Sequence, residues 1–405
     1  RFEFVKSKPY PGGIYMAVTE DKAKIFEFIV NNEPNVIFNS DTSNIIRNMK
    51  ITNSEENKVF FDYVIHNEKV FRKNRELSES LKLTKKASPE YNKLISEINN
   101  LAEESTKFKL NIIENNSNLF VSKLLNSMRE VEVPKSIKDL KDSSAVYRYY
   151  KNHFWDNLDL SDGRFLRTPM LDKKIGEYFS SLVIHQPDTV IKEIDYVLSK
   201  AKGSQENFSY LIWKFISDYQ NPKFMGFDKV FVHLAEKYFE DNSYKIDNAT
   251  ESVKKSIIDR AKKIKPLIIG STAPNLIMID SSGQYVSFQF LKNKYIVLLF
   301  WDYECSVCKR EIKYFQENMA SWNMDIGIYS ININGDLDEW KKYIRDNKMH
   351  WQNVNGTRSV TQDFHDIYDI YGSPVIYLLD QDRKIIAKRM GAEQIPEIIK
   401  RAERK

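Results

Sequence analysis

Two cysteines occur in this 405-residue chain, and only two residues separate them, in Cys305-Ser306-Val307-Cys308. A pair at that spacing can do dithiol–disulfide chemistry when the first sulfur is a thiolate and the second lies within reach. If Cys305 opens a helix, its sulfur meets unpaired backbone N–H groups and the positive end of the macrodipole, and both favour the thiolate. Cys308 then lies one turn on. It can attack a mixed disulfide formed on Cys305 and release the partner reduced. Two ordinary readings compete: half of a zinc site, and two inert buried thiols. No second cysteine pair exists. His66, His153, His185, His233, His350 and His365 show no ligand spacing near Cys305. Redox chemistry is therefore the favoured reading, with no metal and no cofactor implied.

Three further positions can join the pair. Glu311 lies three residues after Cys308 and so shares its helix face. Partly buried, it could carry the proton that Cys308 must lose before attacking. Its ordinary reading is a solvated carboxylate beside Lys309, Arg310 and Lys313. Ser373-Pro374 enters the apolar run Val375-Ile-Tyr-Leu-Leu379. A cis bond there would present the Ser373 backbone to an extended substrate chain, whereas a trans proline would merely start the strand. Trp301 flanks the site and is a third substrate-contact candidate, with core packing as its ordinary reading. Of the flanking charges, Glu304 could raise the Cys305 pKa and Lys309 could lower it. His350 and His365 read as packing or surface residues.

These residues need strands and helices to hold them. Tyr295-Ile-Val-Leu-Leu-Phe-Trp301 reads as a buried central strand feeding the cysteines. Helical periodicity follows from Cys308 to Asn323. From Pro266 onward strands and helices alternate. Strands are expected at 277–279, 285–288 and 326–333, and helices at 337–347 and 361–371. A hairpin is expected at 375–379 and 384–387, then a last helix at 392–403. That order suits a mixed sheet with helices on both faces.

Upstream the pattern differs. Residues 1–52 read as β-rich, with runs at 14–18, 23–30 and 35–38 set between turn residues. Residues 53–265 read as helices. Ser88-Pro89-Glu90 has the N-cap, N1 proline and acidic first turn of a helix start. Expected helices cover 55–86, 89 to about 115, 144–156, 170–183, 188–200, 205–219, 223–239 and 248–263, with another starting near Ser117 and a looser connector over 131–143. The fold class is thus multidomain: a β-rich segment over 1–52, an α-helical domain over 53–265, and an α/β domain over 266–405.

Composition narrows the function. Hydrophobic content of 42% with 29% charged residues suits folded domains with real cores. The formal charge of +5 is small and spread along the chain, with no basic block interleaved with aromatics, so nucleic acid is not an expected partner. The longest apolar run has seven residues, far below the ~20 of a bilayer span. Arg1-Phe-Glu-Phe-Val5 does not read as a signal peptide. It reads as strand interior, and the expectation is that a signal or anchor and some early strands precede it. One Cys-x-x-Cys without structural cysteines fits either the cytosol or the cell envelope.

The residues from about 268 to 405 also carry a resemblance. Gly270-Ser-Thr-Ala-Pro274, Leu298-Leu-Phe-Trp-Asp-Tyr-Glu-Cys305-Ser-Val-Cys308-Lys-Arg-Glu311 and Tyr371-Gly-Ser-Pro374-Val-Ile-Tyr-Leu-Leu-Asp380 resemble thioredoxin-like domains of the TlpA/ResA type, grouped with the AhpC/TSA-like superfamily. The resemblance implies that Cys305 attacks, Cys308 resolves, Pro374 is cis and Glu311 tunes the pair. Three departures stand out. Glu304 precedes Cys305, Ser306-Val307 fills the loop, and Leu299 occupies the position of the buried aspartate of thioredoxin. The segment 298–305 lacks the Pro-x-x-x-Thr-x-x-Cys loop of a peroxiredoxin, which argues against peroxidase activity. Residues 1–57, with Pro11-Gly-Gly-Ile-Tyr15 and Asn39-Ser-Asp41, look like the end of a β-rich domain of unknown function. The region 135–265 looks like a helical one. Both kinds precede thioredoxin domains in exported envelope proteins of Gram-negative anaerobes, which are often lipoproteins.

The leading expectation is an extracytoplasmic, periplasmic or envelope-held thiol–disulfide oxidoreductase that reduces protein disulfides. Its partners would be a disulfide-bearing client protein and an upstream thiol electron donor. The regions before residue 266 would dock a client, pair protomers in a homodimer, or hold the site off a membrane. The alternatives are a disulfide isomerase or oxidase on the same scaffold, and a ligand- or client-binding protein with a redox-sensitive domain.

Overall fold

The structure, a computed structural model, describes residues 3–5, 7–361 and 363–404. It contains two compact units. One comprises Arg1–Ile184 with Glu193–Leu211, the other His185–Lys192 with Ile212–Lys405.

The first unit begins with the antiparallel pair β1 (Gly13–Val18) and β2 (Lys24–Val30), then a short pair, β3 (Ile37–Asn39) and β4 (Lys50–Thr52). Sequence had marked the first three and missed β4, whose three residues carry no period. The strand expected at the start is not formed at Glu3–Val5, while Arg1 and Phe2 lie outside the described residues. Two long helices follow: α1 (Glu55–Leu83), capped by the Ser54 side chain, and α2 (Pro89–Asn115), capped by Ser88. The N–H of Tyr91 donates to Ser88 Oγ at 3.1 Å, as the Ser-Pro-Glu signal foretold. Then come α3 (Phe120–Ser127), a single turn α4 (Lys135–Lys138), α5 (Ser143–Asn152) and α6 (Pro169–Glu177). Helices α7 (Pro187–Ala201) and α8 (Gln205–Tyr219) have residues in both units, and α9 (Asp228–Leu234) and α10 (Glu251–Ile264) belong to the second. Among the described residues no helix is long and apolar enough to cross a membrane.

In the second unit a seven-stranded mixed sheet has the order β11-β10-β7-β8-β9-β5-β6. Its elements in chain order are β5 (Ile277–Asp280), β6 (Tyr285–Ser287), β7 (Tyr295–Trp301), α11 (Ser306–Asn318), β8 (Ile326–Asn332), α12 (Leu337–Asp346), β9 (Gln352–Ser359), α13 (Phe364–Ile367), β10 (Val375–Leu379), β11 (Ile385–Lys388) and α14 (Ile395–Glu403). The central strands β7, β8 and β9 run parallel, and the flanking strands pair antiparallel. Every residue of β7 and β8 is buried, which is why both read as near-continuous apolar runs. Alternate residues of β7 serve opposite faces. Tyr295, Val297, Leu299 and Trp301 pack with Cys308, Ile312 and Phe315 of α11. Ile296, Leu298 and Phe300 pack with Phe364, Tyr368 and Tyr377 on the other face.

Two expectations fail here. β9 was not foreseen, and the helix expected over 361–371 shrinks to α13 (Gln362 lies outside the described residues). A Cβ on Gly356 would lie 2.5 Å from the Phe364 ring, so β9 needs glycine where α13 packs on it.

Candidate redox site

The site stands where β7 ends. Trp301 closes the strand, and the chain turns through Asp302-Tyr303-Glu304 into α11. Cys305 is the N-cap of that helix. Its sulfur accepts the backbone N–H of Cys308 at 3.2 Å, so the thiol itself takes the place of a capping hydroxyl. Cys308 follows one turn later and faces the core, together with Ile312 and Phe315 at helical spacing. Both cysteines are unpaired thiols.

Their surroundings separate them. Cys305 is half-buried, and burial alone would raise its pKa. Hydrogen bonding from the Cys308 thiol and N–H, the Ser373 hydroxyl and the Val307 N–H outweighs burial and holds the Cys305 thiol below its ordinary value. Cys308 is fully enclosed, at 0% exposure. Burial first, and then its hydrogen bond with Cys305, push its pKa up to about 12, against weaker support from Ser373 and the N–H of Asp302. That N–H lies 3.5 Å from the Cys308 sulfur. The outer sulfur is thus the more readily ionised of the two, and the inner one holds its proton more tightly.

The loop before β10 closes the site from the far side. The Ser373–Pro374 peptide is cis, the form that the family resemblance implies. The Cys305 thiol donates to the Ser373 carbonyl at 3.6 Å. The structure therefore brings Cys305, Cys308, Ser373 and Pro374 together from two segments 68 residues apart.

Glu311 lies on α11 and is half-buried. Its carboxylate accepts the N–H of Ala392 at 2.8 Å, where a 3₁₀ turn leads into α14. Sequence reasoning missed this anchoring contact, which spans 81 residues and leaves no local pattern. Trp301 requires a correction as a substrate contact. It is 0% exposed, and its ring packs 5.2 Å from that of Tyr343. An enclosed ring offers no face to a docked chain, so Trp301 belongs to the core beneath the cysteines. Tyr343, on α12, was not foreseen either. Burial and, second, the charge of the Cys308 sulfur raise its pKa. His365 pairs with Asp363 at 2.7 Å.

Known families match two stretches of the chain. Residues 73–266 match a domain of unknown function, DUF5106, and residues 269–388 match the AhpC/TSA family. The thiol-disulfide oxidoreductase ResA of Bacillus subtilis (strain 168) is 24% identical over 144 residues, covering 35% of this chain and 73% of that protein. A thioredoxin-like protein from Bacteroides caccae superposes with a TM-score of 0.51 at 17% identity, over 67% of this chain and 97% of its own. A domain of a possible thiol-disulfide isomerase from Cytophaga hutchinsonii is 37% identical, over 34% of this chain and 95% of that one, with a TM-score of 0.31.

Proposed function

We propose that this chain, a TlpA/ResA-like member of the thioredoxin-type thiol–disulfide oxidoreductases over its last third, reduces protein disulfides outside the cytoplasm. One observation carries the reading: a half-exposed Cys305 with a lowered pKa caps the same helix in which a buried Cys308 is held up near 12. That asymmetry suits a nucleophile and a resolving thiol rather than two equivalent ligands.

The Cys305 thiolate attacks one sulfur of a client disulfide, forming the mixed disulfide and releasing one client thiolate. Cys308 then loses its proton and attacks Cys305 Sγ. The Cys305–Cys308 disulfide forms, and the second client sulfur leaves as a thiolate. Two electrons pass from the pair to the client, whose thiolates take up two protons. A dithiol donor of the same chemical class restores the pair by the reverse exchange. Ser373 and Pro374 would hold the client backbone beside Cys305. Glu311 would receive the Cys308 proton. The boundary of the redox domain falls near residue 266.

Support for a place in the envelope comes from the upstream regions, which are similar to those of exported proteins. A single experiment tests chemistry and place. Cys305→Ala is expected to abolish reduction of a client disulfide. Cys308→Ala, expressed in cells, is expected to accumulate mixed disulfides through Cys305, recovered from the envelope fraction. Full activity in Cys305→Ala would sink the assignment, and mixed disulfides found only with cytosolic proteins would sink the location.

A further inference from the structure

The loop that carries Ser373 is tied down at Asp369, four residues earlier. Asp369 is an unusual anchor. Its backbone is left-handed at φ 55°, and its carboxylate is only 4% exposed. A buried carboxylate needs partners of opposite charge. Two arginines from two elements supply them. Arg389, just after β11, donates to Asp369 Oδ2 at 2.7 Å and to the Asp369 carbonyl at 3.0 Å. Arg260, near the end of α10, forks onto both oxygens, reaching Oδ2 at 2.9 Å and Oδ1 more closely. A second tether runs beside it, from Lys263 of α10 to Asp366 of α13 at 2.6 Å. All of these residues belong to the second compact unit.

Beyond Asp369 the loop has few other fixings. Ile370 is buried, but Tyr371 is 72% exposed and Gly372 has open space around it. The next firm point is Val375, paired with Phe300 in the sheet. Ser373 and Pro374 thus hang between the carboxylate clamp and the first residue of β10. Four residues span at most about 14 Å, so the clamp on Asp369 confines the Ser373 carbonyl to within that reach of it.

We propose that Arg260 is a positioning residue for the redox site: through Asp369 it sets where Ser373-Pro374 meets a peptide client. The inference rests on the reductase reading above and deepens it. Arg260 lies in the stretch that matches the domain of unknown function, whereas Asp369 lies in the AhpC/TSA stretch. The last helix of the upstream region is therefore part of the scaffold of the substrate loop. A bidentate arginine suits this task because its planar fork fixes the carboxylate in orientation as well as distance.

The test compares two disulfides on the full-length chain. One is an extended peptide disulfide, which must lie along Ser373-Pro374. The other is a small aromatic disulfide such as 5,5′-dithiobis(2-nitrobenzoate), which needs only the Cys305 thiolate. In Arg260→Met the rate constant for the peptide is expected to fall by about ten- to a hundredfold, the scale set by misplacing a binding group by an ångström. The rate with the small disulfide is expected to stay as in wild type. Arg260→Lys keeps the charge without the fork and should lie between the two. Peptide rates unchanged in both variants, or equal losses on both disulfides, overturn the proposal, the latter because it marks general damage. The outcome is separable from the reductase reading, which fails if the wild-type chain reduces neither disulfide.

Discussion

Cys305 and Cys308 sit one helical turn apart in opposite surroundings, and that difference creates a problem at the second step. A thiol held near 12 is almost wholly protonated at neutral pH, so the resolving attack needs a local base. Glu311 is the carboxylate on the same face of α11, and its other work, accepting the Ala392 N–H, is done by one oxygen. Glu311→Gln separates the two tasks, since an amide oxygen can still accept that N–H but takes no proton. If Glu311 shuttles the proton, the variant should slow release of the mixed disulfide by on the order of 10²-fold near neutral pH. The deficit should shrink as pH rises toward 12, where Cys308 ionises unaided. Stopped-flow resolution of a preformed mixed disulfide, followed against pH, gives both numbers. A resolving rate equal to wild type would leave Glu311 as an anchor for the α14 turn only.

Among the elements, α3 shows how a helix can be capped from far along the chain. Its own N-cap, Leu119, supplies no side-chain acceptor. Glu56, buried in the first turn of α1, accepts the N–H groups of Phe120 at 2.5 Å and Val121 at 2.9 Å, and Asn31 at 2.6 Å. A carboxylate at a helix N-terminus satisfies orphan donors and meets the favourable end of the dipole. Glu56→Ala strands buried N–H groups, and urea unfolding should show a loss of roughly 2–4 kcal/mol in the first unit. A loss inside about 0.5 kcal/mol, typical of an ordinary surface change, would refute this account. No such contact is legible in sequence, because nothing local links positions 56 and 120. Where the signal is local, the reading holds closely. The periodic run 205–219 is α8 to the residue, Ser88 caps α2, and the apolar run 295–301 is β7. β9 escaped because Asn353, Asn355 and Gly356 imitate a loop while sitting buried between β8 and β5. The same contrast governs the site. The two cysteines and the proline stand out by type and spacing, whereas the Ala392 contact and the Asp369 clamp join segments 81 and 109 residues apart.

For the molecule as a whole, the second unit draws on residues from both sides of position 266. A buried ion pair crosses that point. Lys388, at the end of β11, meets the carboxylate of Asp228 in α9 and donates to the Leu267 carbonyl at 2.6 Å. Burial lowers the Lys388 pKa, and Asp228 works against that lowering. Between its depressed value and the ordinary 10.5, the folded protein binds fewer protons at this site than the unfolded chain. Stability from this group therefore rises with pH through that window and is lost as pH falls below it. Asp228→Ala removes the opposing charge and leaves an ammonium buried without a partner. The expected loss is about 3–5 kcal/mol at pH 7, because breaking a buried pair costs more than never having formed it. The deficit should narrow as pH approaches 10.5, where the lysine sheds its proton in folded and unfolded chains alike. Adding Lys388→Met to Asp228→Ala should restore most of the neutral-pH stability, since an apolar side chain of similar length replaces the stranded charge. Guanidinium unfolding of the two variants at pH 7 and pH 10 decides the matter. A deficit independent of pH, or one that Lys388→Met does not relieve, would mean that Asp228 holds the unit together through packing and not through Lys388.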